Sequence, residues 1–490
     1  MTNSSGIGQT RSASLGVKSL WILCLALVLF VGACGNDNSI DISTTATTQA
    51  ELRETGANSL ESTLTSTSAT PTQIATTESS SEITDEPSIP HTKTNDEALP
   101  ETTPSTGAIT SADKDLQGYA SGLDIEAIHQ VSRDWMVSAG APGLVVAIAQ
   151  GDEEPWTFSW GVSDLDTAEP LSTDDYVRIG SVTKPVTTVT VLSLVEDGLL
   201  DLDVPITKYL GDNWYNTYEH GAAITLRHLM GHTAGFVDYA FDPGFFVLGS
   251  ARLDVPIQPH EIVRFATNYG PVADFESEFH YSTAGHVVAG MVIEAATGNP
   301  ADVEIRSRIL DPLGLENTYL PPNELPPTPV VNSYNGGLLY TAFSSLTRVP
   351  DEAHHDYLGN QYIATNSYPQ EFLQTAGWTG GGMEATIGDV SKMFRGLFAG
   401  ELINDELLTE MTTPSVELDY GLGVDIQYIA DQVAYSHGGT TPAFSTRVIY
   451  IPEWDLTLAA SANVLPANPN IQELLKQLIP ITTQGWDLEQ

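Results

Sequence analysis

Cysteine is almost absent from this 490-residue chain: Cys24 and Cys34 are the only two, which excludes a disulfide-stapled scaffold. Positive charge is scarce as well. Lys and Arg total 19 against 63 Asp and Glu, a formal net charge of −44. Phosphate contacts need clustered cations, so a general nucleic-acid binder is excluded, and docking on anionic lipid through basic side chains is disfavoured. Phe, Tyr and Trp are missing from residues 35–118, where 31 of 84 residues are Ser or Thr and the charge is 3 − 14 = −11. Such a stretch cannot bury enough apolar surface to offset its ordering entropy. It reads as a disordered tether with a random-coil reach of roughly 50 Å. The apolar run from Leu20 to Val31 falls short of the about 20 residues a permanent membrane-spanning helix needs.

What is present divides into residues 1–34, 35–118 and 119–490. Arg11 and Lys18, then the apolar run, then the small residues Gly32 and Ala33 follow the order of a secretory signal peptide. Val31-Gly-Ala-Cys34 resembles a bacterial lipobox, which implies that Cys34 carries lipid and becomes the new N-terminus, on the outer face of the cell membrane. Cys24 leaves with the signal. The membrane is then a partner through the N-terminal lipid alone.

Residues 119–490 form the folded unit. Hydrophobic residues make up 41% of the chain, enough for a large core. Leu123 to Val137 carries apolar residues near helical spacing, and Gly143–Ala149 and Trp156–Val162 read as strands. Thr446–Ile451 and Leu456–Ala460 give two late strands, and a terminal helix is expected near Ile471–Leu478. Strands at both ends with a helical middle predict an α+β fold, a three-layer α/β/α sandwich. Its antiparallel sheet would be built from both termini of the domain, flanked by helices, with a mostly helical insertion.

The chemistry begins at Ser181-Val-Thr-Lys184. Ser181 follows Gly180 and precedes an apolar-patterned helix, so it should sit at a helix N-terminus that favours developing negative charge. Positions i and i+3 share a helix face, which brings the Lys184 ammonium to the Ser181 hydroxyl as a partner base. A bare Ser-x-x-Lys is weak, since Ser111-Ala-Asp-Lys114 shows the same spacing inside the tether. Ser181 has company: Phe279-His-Tyr281-Ser-Thr283-Ala-Gly285 ahead of a helix expected over Val287–Thr297, and Ala434-Tyr-Ser-His437-Gly438-Gly439-Thr440 ahead of the late strands.

In this order the three clusters resemble the motifs of the serine β-lactamase and penicillin-binding-protein superfamily, nearest its class C and D,D-peptidase-like branch. The blocks at residues 196–206, 224–235, 309–318 and 380–389 agree with it. The resemblance implies a β-lactamase/transpeptidase-like fold and an acyl-enzyme on Ser181, with Lys184 as base and Tyr281 as proton shuttle. The N–H groups of Ser181 and Thr440 become the oxyanion hole. No metal or cofactor is implied, and the substrate is a small molecule or peptide, cell-wall peptide included. Two positions depart from the family pattern. Thr283 stands where the D,D-peptidases have Asn, and His437-Gly438-Gly439 stands where many relatives have Lys-Thr-Gly. Thr283 cannot offer both an N–H and a C=O, and His437 lacks a permanent charge for a substrate carboxylate. Arg447 is the candidate replacement cation. Both departures weaken the case for a cell-wall carboxypeptidase or an efficient β-lactamase and leave esterase or other amide-hydrolase activity open. The expectation is a D-Ala-D-Ala carboxypeptidase/β-lactamase-related hydrolase acting on an ester, amide or lactam carbonyl, with a carboxylesterase of the same fold as the alternative. The reading from another class is an idle relative that binds peptidoglycan or a protein partner through the same cleft.

Other residues read as structural. His228 and His232 have the i,i+4 spacing of a zinc helix, but Leu229 stands where a metalloprotease needs Glu. His354-His355 is a loop pair, and Gly380-Gly381-Gly382 a turn. Trp378 is expected to line the acyl pocket or pack in the core.

Overall fold

The computed structural model describes residues 122–484 except 212–217, 338, 341–350, 368, 415, 417–418 and 442. The expected signal segment, Cys34 and the tether lie outside the described residues. Within those described, no helix is long and apolar enough to cross a membrane.

The main sheet joins both ends of the domain, as the sequence predicts. Its strands are β1 (Gly143–Gln150), β2 (Trp156–Gly161), β3 (Asp425–Ile429), β4 (Gln432–Thr441), β5 (Phe444–Ile451) and β6 (Leu456–Ala462). The order is β2-β1-β6-β5-β4-β3, antiparallel throughout, with Val146 opposite Ala460 and His437 opposite Val448. Both faces of the sheet are covered, so β1, β5 and β6 are buried along nearly their whole lengths, the polar Thr446, Arg447 and Thr457 included. Leu144, Val146 and Ile148 face a core shared with α1 (Ile125–Ala139) and the C-terminal helix Ile471–Thr482. Val145 and Ala147 face the larger core on the other side.

That larger core holds α2 (Thr183–Glu196), α3 (Thr283–Thr297) and α4 (Ile387–Phe398). In α2, eleven of fourteen residues are buried, Lys184 among them. A helix buried on all sides is a core element, and Ser181 lies on the 3-10 turn Gly180–Val182 just ahead of it.

Boundaries differ from the sequence reading in places where long-range contacts set them. Helix α3 starts at Thr283, four residues before the expected Val287, because the Thr283 N–H is accepted at 3.2 Å by Asp238, forty-five residues away. A distant carboxylate thereby satisfies one of the orphan donors of the helix end. The insertion also contains two small sheets with no sequence expectation. One joins residues 464–465, 334–336, 360–364 and 354–357, and the other joins 177–178, 384–385 and 318–319. Five of these seven strands have only two or three residues, too short to show a period, and His354 and His355, expected in a loop, lie in the strand 354–357. Residues 378–381 form a one-turn helix rather than the expected plain turn.

Candidate active site

Ser181 lies on the 3-10 turn Gly180–Val182 that leads into α2. Gly180 has φ +56, and a Cβ there would stand 2.7 Å from the backbone nitrogen of Thr440. At Gly439 a Cβ would overlap the carbonyl oxygen of Ile179 and lie 2.9 Å from its carbon. Glycines on both sides thus let β4 and the serine turn meet backbone to backbone. Thr183 holds the turn in place: its hydroxyl donates to Gly180 O at 2.7 Å and accepts the Met383 N–H at 3.2 Å.

Lys184 is 0% exposed. Its Nζ donates to Ser181 Oγ at 2.9 Å, to Gly380 O at 2.7 Å and, at a longer 3.4 Å, to Thr283 Oγ1. Those three acceptors occupy all three donors of an ammonium. The i,i+3 geometry read from the sequence therefore holds, and Gly380, expected as a mere turn residue, supplies a carbonyl. The ring of Tyr281 lies over the same ammonium, 4.8 Å from Nζ to its centroid. All three expected catalytic side chains converge.

Behind Lys184 the site continues into residues the sequence did not single out. Thr283 Oγ1 donates to Asp238 Oδ2 at 3.4 Å, while Asp238 Oδ1 accepts the N–H groups of Thr283 and Ala240 at 3.2 and 3.3 Å. Asp238 is 6% exposed. Burial raises its pKa, and the Lys184 charge and the two N–H groups act against that rise. A sequence signal for it exists: a lone carboxylate in the apolar run Phe236-Val-Asp-Tyr-Ala-Phe241.

On the β4 side, His437 is 3% exposed and burial pushes its pKa down to about 4, so it is neutral at pH 7. Its tautomer follows from its partners. Ser282 N–H donates to His232 Nδ1 at 3.3 Å, so His232 carries its proton on Nε2 and donates to Tyr420 Oη at 3.2 Å. Tyr420 then donates to His437 Nε2 at 3.1 Å, and His437 Nδ1–H donates to Gly438 O at 2.6 Å. The chain is consistent read from either end, because a backbone N–H only donates and a carbonyl only accepts. His232 packs on Tyr281, ring centroids 4.4 Å apart. Tyr420, whose pKa burial drives far up, had no sequence signal among its flanking glycines.

One expectation changes. Arg447 is no clamp for a substrate carboxylate: its guanidinium donates to Ser436 Oγ at 2.7 Å and pairs with Asp425 at 3.0 Å, and only 8% of the residue is exposed. His232, read as structural, forms part of the wall of the site against Tyr281, while His228 closes a capping box with Thr225 on the helix Leu226–Met230. Trp378 is 6% exposed within the larger core. Among the described residues no group of His, Cys, Asp or Glu has the arrangement of a metal site.

Comparison with known proteins bears on the family and the fold. The Beta-lactamase family model matches residues 126–478. Penicillin-binding protein 4* of Bacillus subtilis (strain 168) is 26% identical over 347 residues, covering 68% of this chain and 70% of that protein. Esterase EstB of Burkholderia gladioli is 26% identical over 185 residues, 36% of this chain and less than half, 46%, of the esterase. Among solved structures, D-amino acid amidase from Ochrobactrum anthropi SV3, complexed with L-phenylalanine amide, superposes with a TM-score of 0.60 at 23% identity. It covers 73% of this chain and 98% of that one, a likeness of fold.

Proposed function

The chain belongs to the β-lactamase family of serine hydrolases, and from that premise we propose that it forms an acyl-enzyme on Ser181 with ester or amide substrates whose leaving group is uncharged. The observation that carries this reading is the wholly buried Lys184, with Nζ 2.9 Å from Ser181 Oγ. In its neutral form Lys184 takes the Ser181 proton as Oγ attacks the carbonyl carbon. The N–H groups of Ser181 and Thr440 receive the oxyanion, each donor worth about 3 kcal/mol in the transition state. Tyr281, over the Lys184 ammonium, returns the proton to the departing oxygen or nitrogen. Water then releases the acid and frees Ser181.

The leaving-group preference rests on charge. His437 is neutral, and the Arg447 guanidinium is engaged by Asp425 and Ser436, so neither is available to hold a terminal carboxylate. A D-alanyl carboxypeptidase or β-lactamase activity is the second reading, favoured by the likeness to penicillin-binding protein 4*.

The test is intact-mass labelling of the protein by a fluorophosphonate and, separately, by a fluorescent penicillin, with Ser181→Ala alongside. The expected result is a Ser181-dependent fluorophosphonate adduct with little or no penicilloyl adduct. A stable or rapidly turned-over penicilloyl adduct moves the reading to a peptidase or β-lactamase. No Ser181-dependent adduct on folded protein overturns the enzyme reading and leaves a binding module.

For location, the reading is a lipid-anchored extracellular enzyme: a cleaved signal over 1–34, Cys34 as lipid carrier, a tether over 35–118 and the hydrolase over 119–490. The order of charged, apolar and small residues before Cys34 supports it. Metabolic labelling with a fatty acid should mark the wild type and not Cys34→Ala.

A further inference from the structure

We propose that Asp238 is a positioning residue of the acylation machinery, acting on Lys184 through the hydroxyl of Thr283. The inference rests on the acyl-enzyme reading above and adds a fourth member to Ser181, Lys184 and Tyr281.

Once the Ser181 proton is on Nζ, the direction of the relay is forced by chemistry. An ammonium has no acceptor and a carboxylate has no donor. Lys184 Nζ therefore donates to Thr283 Oγ1, and the Thr283 proton points to Asp238 Oδ2, both at 3.4 Å. These spacings are long for hydrogen bonds, and catalytic contacts in unliganded sites commonly tighten when substrate binds. Asp238 cannot drift to meet the lysine directly, because Oδ1 is pinned by the N–H groups of Thr283 and Ala240.

The surrounding charges single out this pair. From α2 comes Lys184; from the segment before α3 come His280 and Tyr281, and from α3 itself His286. The turn before Asp238 brings His232, and Tyr239 follows in the chain. Strand β4 brings His437 with Asp425 behind it, and Tyr420 closes the far side. Burial pushes all four histidines below their ordinary range and holds Tyr239 and Tyr420 protonated. Lys184 is the cation whose field acts on Asp238. Two buried opposite charges separated by one hydroxyl stabilise each other where water cannot.

The functional consequence follows from where charge develops. During acylation the Ser181 proton moves to Lys184 Nζ, and a positive charge appears there. A fixed carboxylate one hydroxyl away favours that state, as the aspartate of a Ser-His-Asp triad favours the imidazolium without itself taking the proton. The bond made is Nζ–H, the bond broken is Oγ–H, and Asp238 stays ionised throughout. This also gives Thr283 a use that an apolar residue could not serve: it accepts from the lysine and donates to the carboxylate at once.

The experiment measures the rate of Ser181 phosphonylation by a fluorophosphonate in the full-length protein from pH 5 to pH 10 for wild type, Asp238→Asn, Thr283→Val, Thr283→Ser and Asp238→Asn/Thr283→Val. Without the carboxylate Lys184 holds its proton less tightly. The acid limb of the profile should then move down by about one pH unit while the plateau falls about 10- to 100-fold, within the range of positioned proton transfer. Thr283→Val should reproduce both effects, Thr283→Ser should restore them to near wild type, and the double variant should be no worse than the singles. A purely structural role would lower the rate without moving the limb. An unmoved limb in Thr283→Val, or losses that multiply in the double variant, overturns the proposal. If Asp238→Asn does not fold, the Thr283 pair decides the matter. A Ser181-dependent adduct with an unmoved limb removes this inference alone, whereas no such adduct in wild type removes the acyl-enzyme reading and the inference with it.

Discussion

Gly439→Ala tests how closely the serine turn and β4 must meet. The new Cβ would lie 2.9 Å from the carbonyl carbon of Ile179, overlapping its oxygen, and 3.3 Å from Val182 Cγ2. Relief of those contacts to an ordinary separation of about 3.5 Å requires the strand to retreat by on the order of 1 Å. The obstacle is backbone on both sides, so no side-chain rotation removes it. Overpacking of this kind costs about 1–3 kcal/mol, which a domain with two extensive cores should survive. Function should suffer more. A retreat of β4 carries the Thr440 N–H away from Ser181, and a misplacement near 1 Å is worth about 100-fold in rate. The assay is acylation by a chromogenic ester under pseudo-first-order conditions, with the thermal midpoint measured alongside. Gly438→Ala is the control, since its Cβ meets the far end of a side chain, Arg447 Nη1 at 3.0 Å. The expected outcome is a folded Gly439→Ala acylating about 100-fold slower and a Gly438→Ala much less affected. Acylation of Gly439→Ala at the wild-type rate would refute the claim that β4 supplies half of the oxyanion hole.

Two further outcomes are expected. His437 has a folded pKa near 4 against an ordinary 6.5, so the unfolded chain binds more protons between those values; the stability is present above pH 6.5 and is lost as pH falls toward 4. From pH 7.5 to 5.0 that histidine alone should remove about 2 kcal/mol of stability, a loss that His437→Gln should lack; equal losses in the two proteins by denaturant unfolding would contradict its buried neutral state. Arg447→Gln, which strands the Asp425 carboxylate, should lower the thermal midpoint by an amount equivalent to about 3 kcal/mol. It should not change the ratio of kcat/KM between neutral substrates and those bearing a leaving-group carboxylate, and a selective loss for the latter would return Arg447 to the binding site.

The architecture of the main sheet was legible in the chain because its strands are buried on both faces. Gly143–Ala149 is an unbroken apolar run and Leu456–Ala460 is apolar but for Thr457, and the observed strands extend them by one or two residues. Gly298, with φ +76, ends α3 where a glycine after an apolar helix should. The start of α3 was not legible, since its first N–H is satisfied from another part of the chain. Nor were the small sheets of the insertion, whose strands depend on neighbours rather than on a pattern. At the site, the spacing of Ser181 and Lys184 puts the two on one helix face, while their choice over Ser111 and Lys114, and the naming of Tyr281, came from the resemblance of three motifs to a known family. Arg447 was misread for the opposite reason: nothing local shows that Asp425 and Ser436 already hold it.

The division follows the range of the forces involved. Hydroxyl, amine and phenol are written in the residues, and the approach of Lys184 to Ser181 is written in the pitch of one helix. Protonation states and partners belong to the fold. Lys184 meets Thr283 across 99 residues of chain and Gly380 across 196, and Asp238 meets Thr283 across 45. Burial and Coulomb fields depend on separation in space, so the neutrality of His437 and the carboxylate behind Thr283 exist only once β4, α2 and α3 have closed around them.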